Sequence, residues 1–213
     1  MEYRKLGNSG LKVSEISLGG NNFGSYTDAQ QSIKLINHAL DSGINYIDTA
    51  DFYGPRVSEE IVGKAVKARR REVIIATKFG NRITDGVNEQ GGSRYYITKT
   101  VEASLKRLQT DYIDVYQMHH PDATTPIEET LRTLNDLIRS GKVRYIGCSN
   151  FVGWQLCEAI WTSISNNLDV FVSDQVQWNL LEASSFLVTL VVLVLFMMVQ
   201  KNLTRGLIAG AER

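Results

Sequence analysis

The sequence is poor in proline and cysteine and has no excess of charge of either sign. Three prolines and 17 glycines in 213 residues, with 22% charged residues, exclude a disordered or collagen-like chain. Lysine and arginine together number 23, as do aspartate and glutamate, so no bulk field attracts nucleic acid or an anionic membrane. We therefore expect a globular protein that binds a small molecule and no nucleic acid. The composition leaves its oligomeric state open.

Only two cysteines are present, Cys148 and Cys157. They are too few and too close together for a secreted disulfide framework or for a zinc site. Residues 1–10 are charged and no apolar core follows them, which is unlike a secretory signal. The sequence thus predicts a cytoplasmic protein without a metal centre.

One long apolar run stands out, FLVTLVVLVLFMMV at residues 186–199, which contains no charge, glycine or proline. As a helix it would span about 21 Å, which is short of the roughly 30 Å of a bilayer core. We interpret it as buried core rather than as a membrane span. Its β-branched residues leave helix and strand both open.

Short β-rich runs alternate along the chain with segments of helical periodicity. The runs that predict strands are residues 15–18, 45–48, 73–77, 113–118, 143–148 and 170–176. Apolar residues share one helical face in three intervening segments: Ile33, Ile36 and Leu40; Ile97, Val101, Leu105 and Leu108; Ile127, Leu131, Leu134 and Ile138. Asp28 and Pro126 mark helix starts, and Gly43 and Gly141 mark helix ends. This alternation predicts a parallel sheet, because parallel neighbours need a crossover connection.

A polar or ionisable residue ends five of the predicted strands in turn: Asp48, Lys78, His119, Ser149 and Gln175. No GxGxxG follows the first strand, which argues against an open dinucleotide-binding sheet. Any one of the five would be an ordinary solvated strand end. In a (β/α)₈ barrel, however, all strand ends open on one face, so the series predicts a barrel with a site there.

Three of these side chains, together with Tyr53 in the loop after Asp48, suit carbonyl chemistry. Tyr53 could protonate a developing alkoxide if a neighbour eased the loss of its proton, and Lys78 is the cation that could do so. Asp48 would hold the Lys78 ammonium, and His119 could orient a substrate oxygen. Taken singly, Asp48 with Lys78 is equally consistent with a buried ion pair, and His119 with a core histidine.

Several strings, in order, are similar to those of aldo-keto reductases, and the similarity extends from Met1 to about Glu182. They are YRKLG with GLKVS at residues 3–14, DTADFYG at 48–54, LKRLQTDYID at 105–114 and GKVRYIGCSNF at 141–151. The resemblance implies a TIM barrel and reversible hydride transfer from NADPH, or NADH, to an aldehyde or ketone. It also implies that Tyr53 is the acid, that Lys78 and Asp48 tune it, and that His119 orients the carbonyl.

The resemblance further implies a set of cofactor-binding residues: Gly20, Asn21, Ser149, Asn150, Gln175, Leu203 and Arg205. Ser149, Asn150 and Gln175 match the positions that hold the nicotinamide carboxamide. His120 falls where the family often has arginine and is interpreted as a surface residue. Trp154 and Trp178 could line the pocket, although aromatics near strand ends more often only pack.

The family pattern is interrupted after Glu182 and returns briefly at residues 203–207, and the chain ends at Arg213. We therefore expect residues 1–213 to form a single truncated barrel domain with an N-terminal hairpin and about six to seven βα units. Three functions stay open: a reductase, a nucleotide-binding regulatory subunit of the same fold, and an inactive fragment. Retention of His119 favours the reductase over the regulatory subunit.

Overall fold

The computed structural model describes residues 1–177 and 190–192. The chain divides into two compact units, Met1–Gln175 and Val176–Arg213. In the second unit, Leu190, Val191 and Val192 are helical and exposed, contrary to the buried core expected of the apolar run that contains them. The rest of the apolar run at 186–199 lies outside the described residues, so its assignment to a buried core stays a prediction, as does the single-domain expectation.

The first unit begins with two short strands and continues with alternating strands and helices. The strands are β1 Tyr3–Lys5, β2 Lys12–Ser14, β3 Leu18–Gly19, β4 Tyr46–Asp48, β5 Ile74–Phe79, β6 Ile113–Met118, β7 Val143–Ser149 and β8 Asp174–Gln175. The α-helices are α1 Ala29–Asp41, α2 Tyr53–Arg56, α3 Ser58–Val66, α4 Arg94–Leu108, α5 Ile127–Arg139 and α6 Gly153–Ser165, with a 3₁₀ segment at Lys67–Glu72.

Strands β3 to β8 form one parallel sheet in which each strand pairs with the next one along the chain. This order is that of a (β/α)₈ barrel wall, whereas a doubly wound sheet reverses its order at a switch point. The antiparallel pair β1 and β2 forms a hairpin before the sheet. The predicted α/β class, parallel sheet and N-terminal hairpin are confirmed.

Alternation along the strands gives the sheet two chemically different faces. The face toward the helices is mostly apolar and contributes seven residues to the main core: Ile47, Ile75, Phe79, Tyr116, Met118, Ile146 and Cys148. The opposite face carries buried polar side chains toward the carboxyl ends of the strands: Asp48, Lys78, Gln117 and Ser149. The core and the polar site therefore occupy different sides of the same strands.

The helix boundaries follow the sequence signals. The Asp28 side chain caps α1 by accepting a hydrogen bond from the Gln31 backbone N–H. Helix α5 begins directly after Pro126. Gly43 and Gly141 adopt φ values of +88° and +77° just after α1 and α5, as expected of residues that end helices.

Two predicted strands are displaced or shortened. The first was expected at residues 15–18, but the strand is Leu18–Gly19 because Glu15 still bonds to Glu2 of the hairpin, at 3.1 Å. The last was expected at 170–176, but regular pairing is confined to Asp174–Gln175. The first and last strands of this parallel sheet therefore extend over fewer residues than their β-rich composition suggests.

At the amino-terminal end of the sheet, Arg70 ties β5 to β6. Its guanidinium donates to Asp114 Oδ2 and to the carbonyls of Val73 and Tyr112, each at 2.8 Å. The Tyr112 ring lies 4.0 Å from the guanidinium carbons of both Arg70 and Arg144. This cluster fixes the end of the sheet opposite to the polar strand ends.

We predict that Gly63→Ala destabilises the fold. A Cβ at Gly63 in α3 would lie 2.5 Å from the Leu108 carbonyl oxygen, and backbone atoms of α4 cannot move aside cheaply. Overpacking of this kind costs about 1–3 kcal/mol, measurable by urea unfolding. Gly153→Ala is the matched control, because nothing lies within 4 Å of its added Cβ. Equal stability of the two variants would contradict the close packing of α3 on α4.

Candidate functional site

Four side chains that the sequence singled out meet where β4, β5 and β6 end. Asp48 is the last residue of β4, Lys78 is the last but one of β5, and His119 directly follows β6. Tyr53 opens α2, five residues after Asp48. The structure therefore brings all four together at the carboxyl-terminal edge of the sheet.

The ammonium of Lys78 is the centre of this cluster. It lies 2.6 and 2.7 Å from the two carboxylate oxygens of Asp48, 3.1 Å from the Thr49 carbonyl and 3.4 Å from the Tyr53 hydroxyl. Lys78 is 1% exposed and Asp48 8%. Burial lowers the pKa of Lys78 below its ordinary value, while the charge and hydrogen bonds of Asp48 act in the opposite direction.

The hydroxyl of Tyr53 remains protonated at neutral pH. Burial raises its pKa to about 12, and the carboxylates of Asp48 and Asp51 add to that effect. This direction is opposite to the one expected from Lys78 alone. The physical reason is that burial disfavours the phenolate, and the Asp48 carboxylate, which lies against the Lys78 ammonium, acts in the same direction as burial. In this state Tyr53 is a hydrogen-bond donor that faces the cluster.

His119 lies beside Tyr53, with ring centroids 5.8 Å apart. Burial lowers the pKa of His119 to about 3, assisted by the positive charge of Lys78 and by His120. The imidazole is therefore neutral at physiological pH. Its Nδ1 is buried and has no partner among the described residues. A neutral imidazole can donate only one hydrogen bond, so it can orient an oxygen but cannot supply a positive charge.

The turn after β4 sets the direction of Tyr53. Gly54 has φ +56°, and a Cβ there would lie 1.7 Å from the Phe23 carbonyl oxygen, so only glycine fits. The Phe52 ring packs against both Tyr53 and His119, at 5.1 and 5.2 Å between centroids. Phe52 was not among the predicted site residues, although its place inside the DTADFYG string was a signal that could have identified it.

Four of the cofactor residues expected from the resemblance, Ser149, Asn150, Gln175 and Gly20, lie beside the four side chains. Ser149 donates to the Gln175 carbonyl at 2.8 Å, and the Asn150 amide donates to the His119 carbonyl at 2.9 Å. The Gln175 amide donates to Asp48 at 3.4 Å. On the other side, the Gly20 N–H donates to the Asp48 carbonyl at 2.7 Å.

The hydrogen-bonding groups of Asn150 and Gln175 fit a carboxamide. The NH₂ groups of Asn150 and Gln175 are directed at protein oxygens, which leaves their amide oxygens as the acceptors without partners among residues 1–177. A nicotinamide carboxamide offers an NH₂ group that such oxygens accept. Asn21 is exposed at the rim, and Leu203 and Arg205 lie outside the described residues.

The remaining candidates lie at the periphery. His120 is exposed, as expected, and stacks on His119 with centroids 4.9 Å apart. Trp154 is 68% exposed and lines a groove of about 400 Å³ with Asp122 and Glu158. Trp178 falls outside the described part of the chain. Within the described ranges, no three acidic, histidine or cysteine side chains are placed to hold a metal ion.

None of the helices in the described ranges is both long enough and apolar enough to cross a bilayer.

A sequence model described as the aldo/keto reductase family matches residues 15–200. The chain is 43% identical over 196 residues to "Uncharacterized oxidoreductase YrpG" of Bacillus subtilis (strain 168), covering 87% of this chain and 60% of that protein. It is 40% identical over 188 residues to "Probable voltage-gated potassium channel subunit beta" of Oryza sativa subsp. japonica, covering 84% and 56%.

Among solved structures, the chain is similar to a thermostable aldo-keto reductase in complex with the inhibitor epalrestat. The TM-score is 0.74 at 35% sequence identity, covering 84% of this chain and 63% of that one. The expected barrel type is thereby confirmed. The chain spans less than two thirds of the length of each of these proteins.

We predict that Asp48→Asn strongly destabilises the protein, because it leaves the Lys78 ammonium buried without a counter-charge. Breaking a buried pair in this way costs about 3–5 kcal/mol, measured by denaturant unfolding. The double change Asp48→Asn with Lys78→Met should recover much of the loss. Glu128→Gln, which breaks the half-exposed pair with Arg132, is the control and should cost far less. A small loss in Asp48→Asn would show that the pair is hydrated in solution.

Proposed function

The chain belongs to the aldo/keto reductase family, and we propose that its site reduces an aldehyde or ketone to an alcohol with NADPH. The observation that supports this most is the meeting of the Lys78 ammonium with Asp48 and with the Tyr53 hydroxyl, beside a neutral His119. A protonated phenol next to a hydrogen-bond donor suits a carbonyl oxygen that must gain a proton.

Each side chain has one role in the proposed reaction. When bound, NADPH would supply a hydride to the carbonyl carbon, and the cofactor would thereby be oxidised to NADP⁺. Tyr53 gives its phenolic proton to the carbonyl oxygen, and the phenolate regains a proton from solvent. Lys78 stabilises the phenolate as it forms, and Asp48 holds Lys78 in place. His119 orients the carbonyl oxygen, and the Phe52 ring forms an apolar wall beside it.

We assign the nicotinamide end of the cofactor to Ser149, Asn150 and Gln175, with Gly20 and Asn21 on the opposite side and Leu203 and Arg205 further along the chain. The hydrogen bonds from Asn150 to His119 and from Gln175 to Asp48 link this set directly to the reacting groups. A carboxamide held there would therefore lie next to Tyr53. The choice of NADPH over NADH rests on the family resemblance.

A second candidate is a nucleotide-binding regulatory subunit, which the 40% identity to the rice protein named as a potassium channel β subunit favours. Such a protein would bind nucleotide and turn over little. The packing of His119 against Phe52 and Tyr53 supports the reductase instead, because a regulatory role does not need an imidazole at the acid.

Titration of the purified protein with NADPH, followed by nicotinamide fluorescence, separates the candidates when it is combined with a turnover assay. We expect binding together with oxidation of NADPH in the presence of an aromatic aldehyde. Binding without turnover of any carbonyl would favour the regulatory subunit. Absence of binding would support the inactive fragment.

We predict that Tyr53→Phe lowers kcat by about 10²- to 10⁴-fold, the contribution usual for a general acid. Affinity for NADPH should be nearly unchanged, because the hydroxyl acts mainly in the transition state. Tyr95→Phe is the control, since it removes an exposed phenol from the same protein and should leave kcat unaltered. Full activity in Tyr53→Phe would transfer the acid role to His119.

A further inference from the structure

A second layer of charged side chains lies on the helix side of the sheet, behind the Tyr53 turn. Asp51 is 1% exposed, and neither carboxylate oxygen has a hydrogen-bond partner among the described residues. Its backbone N–H donates to the Lys78 carbonyl at 3.2 Å. A buried carboxyl without partners is costly, and the mechanism proposed above does not use it.

The neighbours of Asp51 are already engaged with one another. Glu59 of α3 accepts hydrogen bonds from Thr77 of β5 and from Arg107 of α4, both at 2.6 Å. Arg107 also donates to Ser104 at 3.1 Å. Glu59 therefore takes the Arg107 Nε donor, and Asp51 has no ion pair within the described part of the chain.

Asp51 borders a small cavity that reaches toward α4. The cavity has a volume of about 50 Å³ and is lined by Asp51, Arg56, Ile83, Glu89, Lys99, Thr100, Ala103 and Arg107. One water needs about 10–15 Å³, and the lining is polar, so a few waters fit there.

We propose that Asp51 is a positioning residue for the acid: its charge controls how readily the Tyr53 hydroxyl gives up its proton. The carboxyl never touches substrate and acts across the turn that joins residues 51 and 53. This inference rests on the proposed function, because it assigns to Tyr53 the role of acid.

The charges around Asp51 allow it to change state near neutral pH. Burial raises its pKa to about 7, with Glu59 adding to the rise and Arg107 and Arg56 opposing it. The other groups that face it are Lys78, Tyr53, Tyr96 and Tyr116, with Glu89 and Lys99 across the cavity. The three phenols have raised pKa values and stay neutral near pH 7, whereas the carboxyl of Asp51 changes charge there.

The charge of Asp51 determines in which direction the pKa of Tyr53 changes. Ionised Asp51 disfavours the phenolate and raises the pKa of Tyr53. Neutral Asp51 removes that repulsion and makes Tyr53 the stronger acid. If the chain is a reductase, kcat for reduction is then higher below pH 7 and falls to a lower plateau above it, whereas Asp51→Asn keeps the higher value with KM unchanged.

The decisive test measures the acidity of residue 53 directly and needs no turnover. Tyr53 is replaced by 3,5-difluorotyrosine, whose lower intrinsic pKa brings its ionisation into a range where the protein is folded, and ¹⁹F NMR follows the titration. We expect Asp51→Asn to lower the midpoint by about one pKa unit, a tenfold change in acidity. Asp85→Asn, at a fully exposed carboxyl, should leave it unchanged. An unchanged midpoint in Asp51→Asn would refute the proposal even if the protein is an active reductase.

A second measurement separates this role from a merely structural one. A carboxyl whose pKa is raised on folding contributes stability below its unfolded pKa of about 4, and that contribution is lost as pH rises to about 7. The Tm of Asp51→Asn should therefore increase relative to the parent between pH 5 and pH 8. A Tm reduced by the same amount at both pH values would show that Asp51 only packs, and would overturn the inference. A chain that reduces no carbonyl would count against the proposed function alone.

Discussion

The parallel register of β4, β5 and β6 is the constraint on which the site depends. Asp48 lies opposite Ala76, and Lys78 lies opposite Gln117, so the acid and the amine emerge on one face, two residues apart along the strands. A slip of one residue would turn the Lys78 side chain toward the helices and into the apolar core. The same pairing that completes the core therefore also assembles the charged cluster.

Burial then determines the charge state of each member of the cluster. Lys78 is held by Asp48, Asp48 also accepts from Gln175, and Tyr53 and His119 are both neutral. The charge of the site is thus confined to the ion pair of Lys78 and Asp48, and the neutral side chains of Tyr53 and His119 lie beside it. Such preorganised donors in a site of low polarity act more strongly than they would in water.

The sequence predicted the parts of this arrangement that depend on local patterns. Strand β6 has the predicted bounds, and β7 extends one residue beyond them, because their buried runs are bounded by turn residues. The helix α3 was not predicted, and neither was the contact between Glu59 and Arg107, which joins residues 48 apart and leaves no local signal. The raised pKa of Tyr53 was not predicted either, because burial, its largest cause, depends on the tertiary fold and leaves no local signal.

The cluster of Arg70, Tyr112 and Asp114 fixes the amino-terminal ends of β5 and β6, far along the strands from Lys78 and His119. The loops at the opposite edge can consequently change in length and composition without disturbing the registration of the strands. The amino-terminal end of the sheet thus maintains the register of the strands, and the carboxyl-terminal end carries the chemical groups. Substitutions in the loops at one edge would therefore change what the site binds, whereas substitutions in the cluster at the other edge would change the stability of the fold.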